Sequence, residues 1–180
     1  MNNAATLATQ LIDLTAEATT PNGKLSARLH AREPEVLLTF HDNSYYRYAE
    51  PELAIQIEGL ARLLSVAWAR VYWHQMSLIH GRTITHEDPP ATAAEQRFRD
   101  LRAEMHVSAS SPDGRIHLDY QAGHDGWRIT IEPGTLATLS EEQFVESARL
   151  ATHALFAAHR SYITTIRREC FPPPESLPRW

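Results

Sequence analysis

The sequence predicts an α+β fold of two α-β-β-β-α repeats, each with an antiparallel three-stranded sheet and a long helix, paired as an intramolecular pseudo-dimer. Three observations predict it: a turn motif that recurs 91 residues on, period-two apolar alternation after each copy, and a long helical stepping of apolar residues after that. Thr19-Thr20-Pro21-Asn22-Gly23-Lys24-Leu25 matches Ser110-Ser111-Pro112-Asp113-Gly114-Arg115-Ile116. Held without gaps, the same offset puts Val36, Leu38 and Phe40 on Trp127, Ile129 and Ile131. It puts Leu53, Ile57, Leu60, Leu64, Ala67 and Val71 on Phe144, Ala148, Ala151, Leu155, Ala158 and Tyr162. A short turn motif recurs easily by chance; two periodicities in one register do not.

Each repeat opens with a short helix, through Leu7, Leu11 and Leu14 in the first and Phe98, Leu101 and Met105 in the second. Thr92 stands three residues before Glu95, a capping-box spacing that starts the second short helix just after Pro89-Pro90. A strand follows, then a tight turn. There Pro fixes φ, and Gly23 or Gly114 accepts a positive φ without steric cost. Two strands alternate next: Leu25, Ala27, Leu29 and Val36, Leu38, Phe40, then Ile116, Leu118, Tyr120 and Trp127, Ile129, Ile131. Period two means one buried face and one wet face.

The long helices close the repeats, with Pro51 in the first turn of one and Ser140 and Gln143 as the capping box of the other. Their apolar residues step by 4, 3, 4, 3 and 4 from 53 to 71 and from 144 to 162, a seam suited to another helix. Repeat one therefore spans 1–80, a linker rich in Thr, Pro and charge 81–91, repeat two 92–169, and a Pro-rich tail, expected to be flexible, 170–180. A module of this size buries too little surface to stand alone, so the two copies are expected to pair.

Composition narrows the function. The chain has 180 residues, 43% hydrophobic, with a formal charge of −5, which excludes attraction to nucleic acid or anionic lipid by bulk charge and leaves room for a local basic stripe. Lys24 is the one lysine, a bias expected of a GC-rich bacterial genome. The single cysteine, Cys170, reads as a passive thiol at a helix end and points to a reducing compartment. The amino terminus lacks the basic and apolar regions of a signal peptide, and no stretch approaches the ~18 apolar residues of a membrane span, so a cytoplasmic protein is expected.

No Gly-x-Ser-x-Gly, Cys/His pairing or phosphate loop occurs, so no catalytic residue and no cofactor is assigned. Among ten histidines, His74 and His80, like His153 and His159, are six apart and do not share a helix face, so no metal site is expected. His124-Asp125, flanked by Gly123 and Gly126, reads as hairpin-turn chemistry. Arg97, Arg99 and Arg102 on the second short helix, and Arg160, Arg167 and Arg168 on the second long one, are candidates for forking onto phosphates. Glu95, Asp100 and Glu104 among the first three equally suit a solvated face of i,i+4 pairs. Trp68, Tyr72 and Trp73 read either as a stacking platform or partner groove, or as core and helix contact, and Tyr45, Tyr46 and Tyr48 are open in the same way.

The layout resembles the YbaB/EbfC family. In the second repeat Val107 to Ile116 is similar to the family's strand, Gly turn and strand. Ile129-Thr130-Ile131-Glu132-Pro133-Gly134-Thr135-Leu136 resembles its third strand and turn into the helix, and Ala154 to Arg160 its small-residue and Arg stretch. The first repeat follows with weaker matches, Asn43-Ser44-Tyr45 replacing the Pro-containing exit. The resemblance implies a tweezer-shaped dimer, here within one chain, that binds duplex DNA with little sequence preference and has no catalytic residue. The family's Lys- and Arg-rich helix end is represented by Arg160, Arg167 and Arg168 in repeat two and by Arg62 and Arg70 in repeat one. Some family-like proteins of actinobacteria serve type VII secretion as chaperones or accessory proteins. That branch implies a protein partner or secretion substrate, with Trp68, Tyr72 and Trp73 as the contact; further homodimerisation is compatible with both branches.

Overall fold

A computed structural model describes residues 13–32, 35–123 and 126–172 of the chain. The expected first short helix, with Leu7 and Leu11, lies outside the described residues, as do His124, Asp125 and the tail beyond Pro172. The described elements run β1 (Thr15–Thr19), β2 (Leu25–His30), β3 (Val36–Phe40), a 3-10 turn (Ser44–Arg47) and α1 (Glu50–His80). After the linker come α2 (Ala93–Ala103), β4 (His106–Ser110), β5 (Ile116–Gln121), β6 (Gly126–Ile131), the single turn α3 (Thr135–Thr138) and α4 (Glu141–Cys170). They make an α+β fold of two antiparallel three-stranded sheets, ordered β1-β2-β3 and β4-β5-β6.

The tight turns form as their residues dictate. Gly23 and Gly114 take φ of +68° and +69°, the left-handed region that a side chain disfavours. Thr20 and Ser111, both buried, accept the amide N–H of Leu25 at 3.1 Å and of Ile116 at 3.0 Å, so neither hydroxyl is buried unpaired. Asn22 and Asp113 accept the N–H of Lys24 and of Arg115 in turn. At the exit of the third strand Asn43 (φ +53°) stands where Gly134 (φ +81°) stands in the other half; asparagine tolerates that region better than most residues. Ser44 and Thr135 follow, each buried and donating its hydroxyl to a backbone carbonyl, of Lys24 and of Glu132.

The helix ends follow their caps. Ser140 and Gln143 make a reciprocal capping box at α4. Thr92 caps α2, while Glu95 reaches the N–H of Ala91 and not that of the cap residue. The start of α1 has Pro51 in its first turn and no side-chain cap, and Gly81 closes it with φ +63°.

One hydrophobic core is fed by both halves. Leu25, Leu53, Leu60, Ile116 and Phe144 are each no more than 1% exposed, and burial of each contributes about 1.5–3 kcal/mol. Phe40 and Tyr45 from the first half meet Phe144 of the second, with ring centroids at 6.0 and 5.5 Å. The apolar seams of the long helices face mainly strands, and only the distal end of the α4 seam, at Tyr162, meets a helix, α2: α1 packs on β1 and β2 and on β6 of the other sheet, and α4 on β4 and β5 and on β3. A three-stranded sheet leaves an edge of unpaired backbone, and each long helix covers the other half's edge strand while burying its seam.

Candidate functional site

Polar pegs join the halves. The Glu50 carboxylate accepts the N–H groups of Gly134 and Leu136 at 3.1 and 3.2 Å, at the start of α3. Its own backbone N–H holds Glu50 below the usual carboxyl value, burial opposes that as the next largest effect, and the N–H groups of Leu136 and Gly134 add to the lowering. Glu58 accepts the N–H of Ile129 on edge strand β6 at 3.0 Å, and Ser65 accepts the indole N–H of Trp127. From the other direction Arg149 donates to Glu35 at 2.9 Å and to Glu146. The Tyr45 hydroxyl donates to the carbonyl of Leu139 at 2.9 Å; burial, with smaller contributions from Tyr46 and the Glu141 and Glu50 carboxylates, pushes it up to about 12. These groups tie backbone to side chain across the junction, and among the described residues they form no cluster of three potential metal ligands.

Beyond the junction each long helix runs on. In α1 no residue past Leu64 is buried, whereas α4 buries Ile166 and Cys170 near its end. The difference is α2, which packs along the second half of α4: Tyr162 donates its hydroxyl to the carbonyl of Leu101 at 2.9 Å, Phe98 lies against Phe171, and Arg97 pairs with Glu169.

The candidate arginines divide accordingly. Arg102 and Arg160 both act on His159 at the α2–α4 junction; burial first, then those two charges, hold the imidazole below its usual value, so it is neutral at pH 7. Arg167 and Arg168 line a surface cleft of about 300 Å³ with Ile163, Thr164 and Phe171. Arg99 is exposed on α2, and Arg97 is already engaged by Glu169. In the first half Arg70 is exposed on α1, while Arg62 sits at the α1–β6 junction, 3.5 Å from Glu58 and within reach of the carbonyl of Trp127. His159 escaped the sequence reading as a site residue. Its neighbour Arg160 was visible, but the approach of Arg102 depends on α2 docking.

The aromatic trio divides too. Trp68 packs on the edge of the core, half-buried. Tyr72 and Trp73 form an edge-to-face pair, centroids 5.1 Å apart, further along α1. Tyr45 proves to be core, 1% exposed, and Tyr46 is 71% exposed. No helix of the described chain is long and apolar enough to cross a membrane. No family model, curated protein or solved structure matches the chain.

Proposed function

We propose that the chain is a tandem duplicate of a YbaB/EbfC-like module, folded as an intramolecular pseudo-dimer, that works by binding and not by catalysis. Its ligand in this reading is duplex DNA, held by arginines of α2 and α4. The duplication is supported by the strands β1 and β2, the 3-10 turn and α1, whose first residues each recur 91 positions on in β4, β5, α3 and α4. The pseudo-dimer is supported by the reciprocal packing of each long helix on the other half's third strand.

The observation that carries the DNA reading is the line of exposed arginines on α4, Arg160 with Arg167 and Arg168 about two turns further along, beside the exposed Arg102 of α2. Guanidinium groups so spaced along one helical arm can each engage a phosphate and release its counterion. The test is a mobility shift on duplex DNA across a salt series. Four phosphate contacts predict a slope of log affinity against log salt of roughly −4, which falls toward −1 in Arg160→Ala/Arg167→Ala/Arg168→Ala. Bound DNA also moves the titration of His159, followed by NMR, to higher pH. Affinity indifferent to ionic strength, or no binding at low salt, overturns the reading.

One observation favours a second reading, a protein-interaction module such as a secretion chaperone or accessory factor. The distal half of α1 buries none of its residues, and Trp68, Tyr72 and Trp73 stay half-buried there. Aromatic side chains on a helix arm suit a peptide or helix partner. Cross-linking in the native host would then recover a protein with little nucleic acid, and Trp68→Ala/Tyr72→Ala would lose it while the fold survives.

A further inference from the structure

Helix α1 has a second apolar stripe, on the face turned away from the sheets. Glu52, Ile55, Gly59, Leu63, Val66 and Arg70 step by 3, 4, 4, 3 and 4 along it, over about 27 Å of helix. They lie on the side opposite Leu53, Leu60 and Leu64, which fill the core. Ile55 is 65% exposed, Leu63 42% and Val66 50%, and a side chain at Gly59 would meet nothing within 4 Å. Among the described residues neither Glu52 nor Arg70, at the two ends of the stripe, has an ion-pair partner.

The stripe complements itself. Set antiparallel against a copy of itself about a twofold near Ala61, it brings Leu63 over the vacancy at Gly59, Ile55 against Val66, and Glu52 against Arg70. Each contact then occurs twice, as an isologous interface requires. Parallel pairing would set Glu52 beside Glu52 and Arg70 beside Arg70, so charge selects the antiparallel arrangement. A knob meeting a glycine also lets the two backbones approach closely. We infer that this outer face of α1 binds the same face of a second copy of the chain, giving a homodimer of the two-repeat protein. The inference stands on α1 alone and holds whether the ligand of the arginines is DNA or protein.

Sedimentation velocity and light scattering on the full chain over a concentration series test it. The expected result is a mass rising from 20.4 kDa toward twice that value with concentration. Leu63→Glu/Val66→Glu should hold the chain as a monomer with an unchanged circular dichroism spectrum, since both residues are on the surface. Glu52→Arg and Arg70→Glu should each weaken the dimer by about tenfold, and the two together should restore it to within about threefold of the parent. A chain that stays monomeric at all concentrations overturns the inference, whether another protein or another segment of the chain covers the stripe. So does a dimer indifferent to Leu63→Glu/Val66→Glu, or a charge swap that fails to restore.

Discussion

At inward positions Leu53, Leu60 and Leu64 of α1 stand where Phe144, Ala151 and Leu155 stand in α4, and all six are buried. At outward positions Ile55, Leu63 and Val66 stand where α4 has Glu146, Ala154 and Ala157. From the edge of the core outward, α1 runs on with half-buried Trp68, Tyr72 and Trp73, while α4, packed beside α2, runs on with exposed Arg160, Arg167 and Arg168. The difference shows what the shared core constrains. A side chain packed in the core stays apolar even where its size changes, as from Leu60 to Ala151, whereas an outward one is free to become charged, aromatic or sticky. Even the pegs across the junction diverge in sign: Glu58 binds the edge of β6, and Arg149, 91 residues on, binds Glu35 beside β3.

Phe144→Ala attacks the inward half of the comparison and has the largest expected effect. It removes the ring against Phe40 and Tyr45 and should cost about 3–5 kcal/mol, with Leu53→Ala costing about 2–5. Guanidinium unfolding followed by tryptophan fluorescence and by circular dichroism should give one shared transition in both variants, shifted alike. Separate transitions for the two halves would break the idea that they share a core.

Tyr45→Phe is next. It leaves the carbonyl of Leu139 without its donor and should cost about 1–2 kcal/mol in the same unfolding assay. The folded value of Tyr45, about 12, lies above the ordinary 10 of the unfolded chain. Between these pH values the unfolded state gives up its proton and the folded state keeps it, so stability is intact below pH 10 and falls as pH rises from 10 to 12. The Tyr45→Phe chain should lose that part of the slope.

The smallest effect belongs to Glu50→Gln, about 0.5 kcal/mol for a peg open to solvent at the start of α3. The folded carboxyl lies below its usual 4.5, so its contribution is present above pH 4.5 and fades as acid protonates it. Unfolding at pH 7 and pH 3 measures the difference, and a gap between parent and variant that stays open at pH 3 would rule out the carboxylate as its source.

Much of this was legible in the chain. The turns were written in Pro-Asn-Gly and Pro-Asp-Gly, because few residues accept the φ those positions need. The buried faces of β2, β3, β5 and β6 were written in alternation, because a strand exposes opposite sides at successive residues. The caps at Thr92 and Ser140 were equally local. The partner of the long-helix seam was not legible, since a 4-3 stepping suits a helix or a curved sheet face alike: strands meet most of both seams, and α2 meets the distal end of the one on α4. Nor was Tyr45 as a core residue legible: Tyr45, Tyr46 and Tyr48 look alike in sequence, and the reach to Leu139 separates them. The outer stripe of α1 was hidden because two of its six positions are charged and one is glycine, which dilutes an apolar signal.

By itself the sequence determined the six strands, α1, α2 and α4, and the inward faces of β2, β3, β5, β6 and the two long helices. Each of these depends on backbone sterics and side-chain period, which act between neighbours in the chain. The tertiary structure alone decided which surface each seam covers, that Tyr162 of α4 bonds to Leu101 of α2, and that the ends of α1 and α4 differ in cover. Those outcomes depend on contacts between residues tens of positions apart, and no local preference encodes which of several compatible surfaces a face will meet.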